Sequence, residues 1–170
     1  MKEIPKPPRQ SPPLICKYSR RSQNNFTNFT LLTHLTFRRL KKFSIGDVNT
    51  IALTSDNRFV ISGSRDKSIK VFDLQTKQQV HHFQNAHEWM VKSLAVTSDS
   101  RFIVSGSEDQ SIKIFDLLAK HQVNHLPKAH DRLVSSVAVT SDNKFIVSGS
   151  TDKSIKIFDF ELILSNGKTF

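Results

Sequence analysis

Ser105-Gly106-Ser107-Glu108-Asp109-Gln110-Ser111-Ile112-Lys113-Ile114-Phe115-Asp116 has two near copies in the chain, Ser62 to Asp73 and Ser148 to Asp159, each offset by 43 residues. A fixed period of this size signals stacked repeats, because so short a unit cannot bury its own apolar face and needs a neighbour. The similarity is wide. Ala95–Leu117 and Ala138–Phe160 agree at 18 of 23 positions, differing only at residues 100, 101, 108, 110 and 117.

Outward from this stretch, each unit carries strand signals: short β-branched, aromatic and apolar runs broken by Ser, Asp, Asn and Gly. In the second unit four strands are expected, at about Val91–Thr97, Arg101–Ser105, Ser111–Asp116 and His121–Leu126. A turn is expected at Ser98-Asp99-Ser100, where Asp and Asn-like residues bond the local backbone and tolerate left-handed dihedrals. Phe102-Ile103-Val104 and Ile112-Lys113-Ile114-Phe115 are nearly continuous in apolar character, which predicts a small sheet covered on both faces. The fourth run is more polar, as in Gln78-Gln79-Val80-His81-His82-Phe83, and suits an outer edge protected against pairing with other chains. One period earlier, Phe37-Arg38-Arg39-Leu40 keeps the apolar positions of Val80-His81-His82-Phe83, so residues 34–40 read as a lone outer strand.

The formal charge of +10 is unevenly placed. Residues 1–47 hold ten Lys or Arg against Glu3 and Asp47, whereas the other 123 residues hold 15 basic and 13 acidic groups. Near-neutral repeats release few counterions, so attraction to phosphate would come from the leader alone. Five of the six prolines lie at positions 5, 7, 8, 12 and 13, and residues 1–30 read as a disordered, basic, Pro-rich tail. Cys16 is the only cysteine, which excludes an internal disulfide or a cysteine-based zinc site and fits an intracellular, reducing compartment. A cytoplasmic location is expected first, with the nucleus as the other option. No apolar run is long enough to span a bilayer, and charges and prolines occupy the place of a signal peptide's apolar region.

These residues resemble the WD-repeat β-propeller family, whose units of roughly 40–45 residues each form a four-stranded blade. The resemblance covers about residues 34–160 and implies an all-β partial propeller of three blades plus one stray outer strand. The expected boundaries are a tail over 1–30, an outer strand of an incomplete blade over 31–47, and blades over about 48–87, 88–130 and 131–170. The usual Trp-Asp is Phe-Asp here, at residues 72–73, 115–116 and 158–159, and Ala-His stands for Gly-His at 86–87 and 129–130. In that family a His, a Ser or Thr, an Asp and the Trp form a structural hydrogen-bonded set. Carried over by position, the resemblance implies His87, Ser105 and Asp109 with Phe115, and His130, Ser148 and Asp152 with Phe158. The first repeat has Phe43-Ser44 in place of Ala-His and keeps only Ser62, Asp66 and Phe72. Phenylalanine has no indole N–H, so each set is at most three polar residues long.

Ser, His and Asp are also the residues of a hydrolase triad. A catalytic site would not recur once per unit, and its serine would sit in a buried strand without an oxyanion hole. No phosphate-binding or dinucleotide glycine loop is present, so no enzyme activity, metal or other cofactor is expected. Selective recognition should use positions where the repeats differ on one surface: Arg65, Glu108 and Thr151 in one turn, and Gly46, Trp89 and Arg132 near the first strand. In the family these lie around one rim of the central channel. Trp89, the sole tryptophan, is the expected anchor, with Arg132 and Glu108 beside it.

The partners so implied are proteins or peptides, and the function is that of a non-catalytic interaction scaffold. The alternative is nucleic-acid or acidic-membrane binding through the basic N-terminal tail, with the repeats as an oligomerisation platform. Three blades fall short of the roughly four to eight of a closed propeller. The missing blades would come from a longer chain or from a second copy, with residues 34–40 completing a blade across the junction.

Overall fold

A computed structural model describes residues 46–166. The expected tail, the expected outer strand at residues 34–40 and residues 167–170 lie outside the described residues. Among the described residues, eleven strands form three antiparallel sheets in chain order. The first sheet comprises β1 (Val48–Leu53), β2 (Phe59–Ser64), β3 (Ile69–Asp73) and β4 (Gln78–Phe83). The second comprises β5 (Val91–Val96), β6 (Phe102–Ser107), β7 (Ile112–Asp116) and β8 (His121–Leu126). The third comprises β9 (Val134–Val139), β10 (Phe145–Ser150) and β11 (Ile155–Asp159), and is followed by the helix α1 (Phe160–Asn166).

Each sheet is a meander whose first hairpin is closed by a threonine. Thr97 Oγ1 accepts from Phe102 N at 2.9 Å, and Thr54 and Thr140 do the same for Phe59 and Phe145. Asn57, Ser100 and Asn143 take left-handed dihedrals in these turns (φ 56°, 60° and 58°), where a short polar side chain is tolerated. The third-strand aspartates close the next turn. Asp73 accepts from Gln75 N and Thr76 N, and Asp116 from Leu118 N and Ala119 N, within 2.7–2.9 Å.

The sheets stack face to face, with β5 against β1 and β2, and β9 against β5 and β6. Ile61, Ile69 and Val71 of the first sheet pack on Val91, Leu94, Ile103 and Phe115 of the second. Phe102, Val104, Ile112 and Ile114 pack on Val134, Val137, Ile146 and Phe160. Every residue of β6 is buried, as its unbroken apolar run predicts. The two outward faces are different. Ile51, Leu53 and Leu74 at one end, and Phe145, Ile155 and Ile157 at the other, are exposed.

The expectation of a four-stranded third blade is corrected: that sheet has three strands among the described residues, and α1 follows where a fourth would start. The cause lies four residues after the repeated aspartate. Lys77 and Lys120 stand there with φ of 56° and 59°, ending the turn so that β4 and β8 can begin. The third unit has Ile163, and a β-branched side chain disfavours that left-handed conformation. The backbone stays helical instead. Asp159 caps it by accepting from Leu162 N at 2.8 Å, and Phe160 and Ile163 are buried in the second core. Asn124 of β8 donates to the Ile163 carbonyl, fixing α1 to the second blade.

Candidate functional site

The buried polar sets fix the turns that form the rim. His87 lies just before β5, Ser105 in β6 and Asp109 in the turn after it. His87 Nδ1 is 2.9 Å from Asp109 Oδ2, and its Nε2 is 2.7 Å from Ser105 Oγ. The third sheet repeats this with His130, Asp152 and Ser148 at 2.8 and 2.7 Å. Since the carboxylate can only accept, Nδ1 carries the proton. Burial pushes the Asp109 carboxyl up, but hydrogen bonds from His87 and Ser111 outweigh it and hold the group well below the usual carboxylate range. For Asp152 the Ser154 hydroxyl contributes most, against burial, with His130 adding to it.

This connectivity is that of a Ser-His-Asp triad. Ser105 and His130 are fully buried, and His87 and Ser148 are within 2% of it, so no substrate carbonyl reaches either serine. The hydroxyls instead satisfy the rings in a space where an unpaired polar atom would be costly.

The first sheet has no such histidine and solves the same problem differently. Lys70 Nζ donates to Asp66 Oδ2 at 3.1 Å, and Ser68 binds the other carboxylate oxygen through its N–H and hydroxyl. Burial raises the Asp66 carboxyl, and these bonds outweigh it to bring it to about 2. The equivalent lysines Lys113 and Lys156 reach other acceptors, the carbonyls of Ala86 and Ala129, at 2.9 Å. These lysines were not singled out from the sequence; their presence at one position in all three repeats is the signal that could have found them. Ser62 and Phe72 of the first repeat are both buried.

On the surface above these sets, Trp89, Glu108, Arg132 and Thr151 line one cleft of about 600 Å³ between the second and third sheets, together with Gln110 and Leu133. Trp89 is 58% exposed, and Lys67 from the first sheet places Nζ 5.7 Å from its ring centroid. Glu108 is paired with Lys92 at 3.4 Å. Arg132 has no ion pair among those found for the described residues, whereas Arg65 lies one sheet away, 3.9 Å from Asp47, and does not line the cleft. A second hollow of about 300 Å³ lies on the other side of Trp89 and Glu108 and includes His125 and Lys128. Gln110 and Leu133, which line the cleft, and Lys67, which contacts Trp89, are residues that the sequence did not single out. Lys67 and Gln110 share the left-handed position after the repeated aspartate (φ 72° and 71°).

The family model of the WD domain, G-beta repeat, matches residues 38–73, 77–116 and 121–159. The chain belongs to the WD-repeat family. Solved structures agree on the architecture of this WD-repeat chain: the "Crystal structure of RRP9 WD40 repeats" matches with a TM-score of 0.68 at 21% identity. The "Structure of U3-55K" matches with the same score at 20% identity. In both cases the match covers 72% of this chain and 38% of the other, so the WD-repeat segment seen here spans well under half of those structures. Comparison with curated proteins finds no match. No helix among the described residues of this WD-repeat protein is long and apolar enough to cross a membrane.

Proposed function

We propose that the chain is a non-catalytic protein-interaction scaffold that receives a partner segment in the cleft around Trp89. The observation that carries this reading is the convergence of four of the six rim positions chosen for differing between repeats on a single cleft, with an exposed tryptophan in it. An indole offers a large contact area at low conformational cost, which is why such side chains anchor interfaces. With Glu108 already paired to Lys92, the cationic groups of Arg132 and Lys67 set the polarity, which fits a partner segment carrying an acidic residue beside an apolar one.

The WD-repeat fold is shared by many unrelated complexes, so the process served is not part of this reading. An intracellular location, cytoplasmic first and nuclear second, belongs to the same proposal and rests on the lone Cys16. A displayed peptide library panned against the wild-type chain and against Trp89→Ala tests the site. Ligands lost with the substitution support the cleft, whereas ligands that bind both proteins equally remove it from consideration. Tail-mediated binding of nucleic acid or acidic membrane concerns residues outside the described structure; deletion of residues 1–30 would abolish it together with its salt dependence.

A further inference from the structure

The two open ends of the stack carry the two halves of one joint. Within the stack, each middle-strand glycine is a socket for a valine of the next sheet. A Cβ on Gly63 would stand 2.6 Å from Val91 Cγ1, and one on Gly106 would stand 2.6 Å from Val134 Cγ1. Both valines are fully buried. Gly149 is the third member of this series, and its nearest neighbour would be Ser135 Oγ at 4.0 Å, so its socket is empty. Val48, which precedes Val91 and Val134 by one and two periods, is 43% exposed at the opposite end.

The surrounding side chains continue the same series. Ile69, Val71, Ile112 and Ile114 are fully buried by the following sheet, whereas their third-sheet equivalents Ile155 and Ile157 are 75% and 67% exposed. On the other face Leu94 and Leu117 are buried, and their first-sheet equivalents Ile51 and Leu74 are exposed. The joints also share a polar contact: Ser55 N donates to Ser100 Oγ, and Ser98 N donates to Asn143 Oδ1, each at 2.9 Å. The next donor is Ser141 N, and the side chain that completes the series is Asn57.

We propose that two copies of this chain associate head to tail, with Val48 of each copy filling the Gly149 socket of the other. A second copy is the occupant because both halves of the joint, socket and knob, are present in this one chain and match the two joints already formed. The near neutrality of the repeats offers no strong opposing charge. Two copies of the three described sheets make six, within the roughly four to eight of closed propellers. A head-to-tail contact that closes on itself also avoids open-ended growth.

The test uses the full chain in reducing buffer, by size exclusion with light scattering. The wild type is expected at twice its 19.4 kDa. Gly149→Val places a branched side chain in the socket, where its Cβ would meet nothing in its own copy nearer than Ser135 Oγ at 4.0 Å. It is expected to fold with an unchanged circular dichroism spectrum and to elute as a single copy. Val48→Asp, at the other end, is expected to do the same and covers the case in which the first variant fails to fold. Mixing the two variants leaves one joint intact and should recover association that neither shows alone. A wild type that stays at 19.4 kDa, a mass other than two copies, or Gly149→Val and Val48→Asp chains that pair as tightly as wild type would each overturn the proposal.

Discussion

Ile112 and Ile155 open identical pentapeptides, Ile-Lys-Ile-Phe-Asp, one period apart, yet the first is fully buried and the second is 75% exposed. Backbone, register and local sequence are the same, so the difference is due to the next sheet alone. A residue's contribution to this fold is set by its rank in the stack.

That rank is measurable. Ile112→Ala removes a side chain closed in on both sides and is expected to cost about 2–5 kcal/mol. Ile155→Ala, measured by urea unfolding at a concentration where the chain is a single copy, is expected to cost under about 1 kcal/mol. Equal costs would mean that the two faces are equally covered.

His87→Ala leaves Asp109 and the Ser105 hydroxyl without their ring partner inside the protein. Asp109 keeps its bonds from Ser111 and Glu88 N, and the Ser105 hydroxyl still reaches the Lys113 carbonyl, so the expected loss is about 0.5–1.5 kcal/mol for each bond removed. Arg65→Ala, which breaks only the exposed pair with Asp47, should change stability by under about 0.5 kcal/mol. Chemical denaturation of the two variants side by side decides the matter.

Acid should unfold the stack in a defined window. Asp66, at about 2, and Asp109 and Asp152, also depressed, are held below the ordinary carboxylate value of 3.8 in the folded chain. The unfolded state therefore takes up protons first as pH falls. The stabilisation is complete above about pH 4 and is lost as pH drops toward and below 2. Urea midpoints should fall gently from pH 7 to 5, where burial keeps the His81 and His125 imidazoles below their ordinary value and the unfolded chain takes up those protons first, and fall steeply below 4. In Asp109→Asn the fall should be shallower, and an unchanged slope would show that this carboxylate is not among the groups responsible.

The sole tryptophan gives a direct optical reading of the cleft. Trp89 emission in the native chain should lie close to that of a solvated indole and shift little on unfolding. A partner segment that covers the ring should shift it to the blue and protect it from acrylamide. Lys67→Ala should weaken that binding by only a few-fold, since an exposed cation–π pair contributes about 0.5–1 kcal/mol.

The strands were legible because their signals recur, and β5 to β8 lie within two residues of the runs read from the sequence. The helix α1 was not read. It depends on a single backbone position, where Ile163 replaces Lys77 and Lys120, and a loss of match with the other repeats looks alike whether the result is coil or helix. The Asp66–Lys70 pair was likewise hidden, because Lys70 sits in nearly the same local sequence as Lys113 and Lys156 and differs in which acceptor the absent histidine leaves open. For the rim, variation between repeats picked out six positions, of which Trp89, Glu108, Arg132 and Thr151 line one cleft, while Arg65, one period before Glu108, lies one sheet away from it.

The spacing of Gly63, Gly106 and Gly149 against Val48, Val91 and Val134 has an evolutionary corollary. Duplicating or deleting one 43-residue unit adds or removes one glycine and one valine together, so the joint between neighbours survives every change in number. Such a chain can vary its length by recombination without inventing a new contact, and selection is left free to act on the few rim positions, such as 89, 108 and 132, where the copies have already diverged.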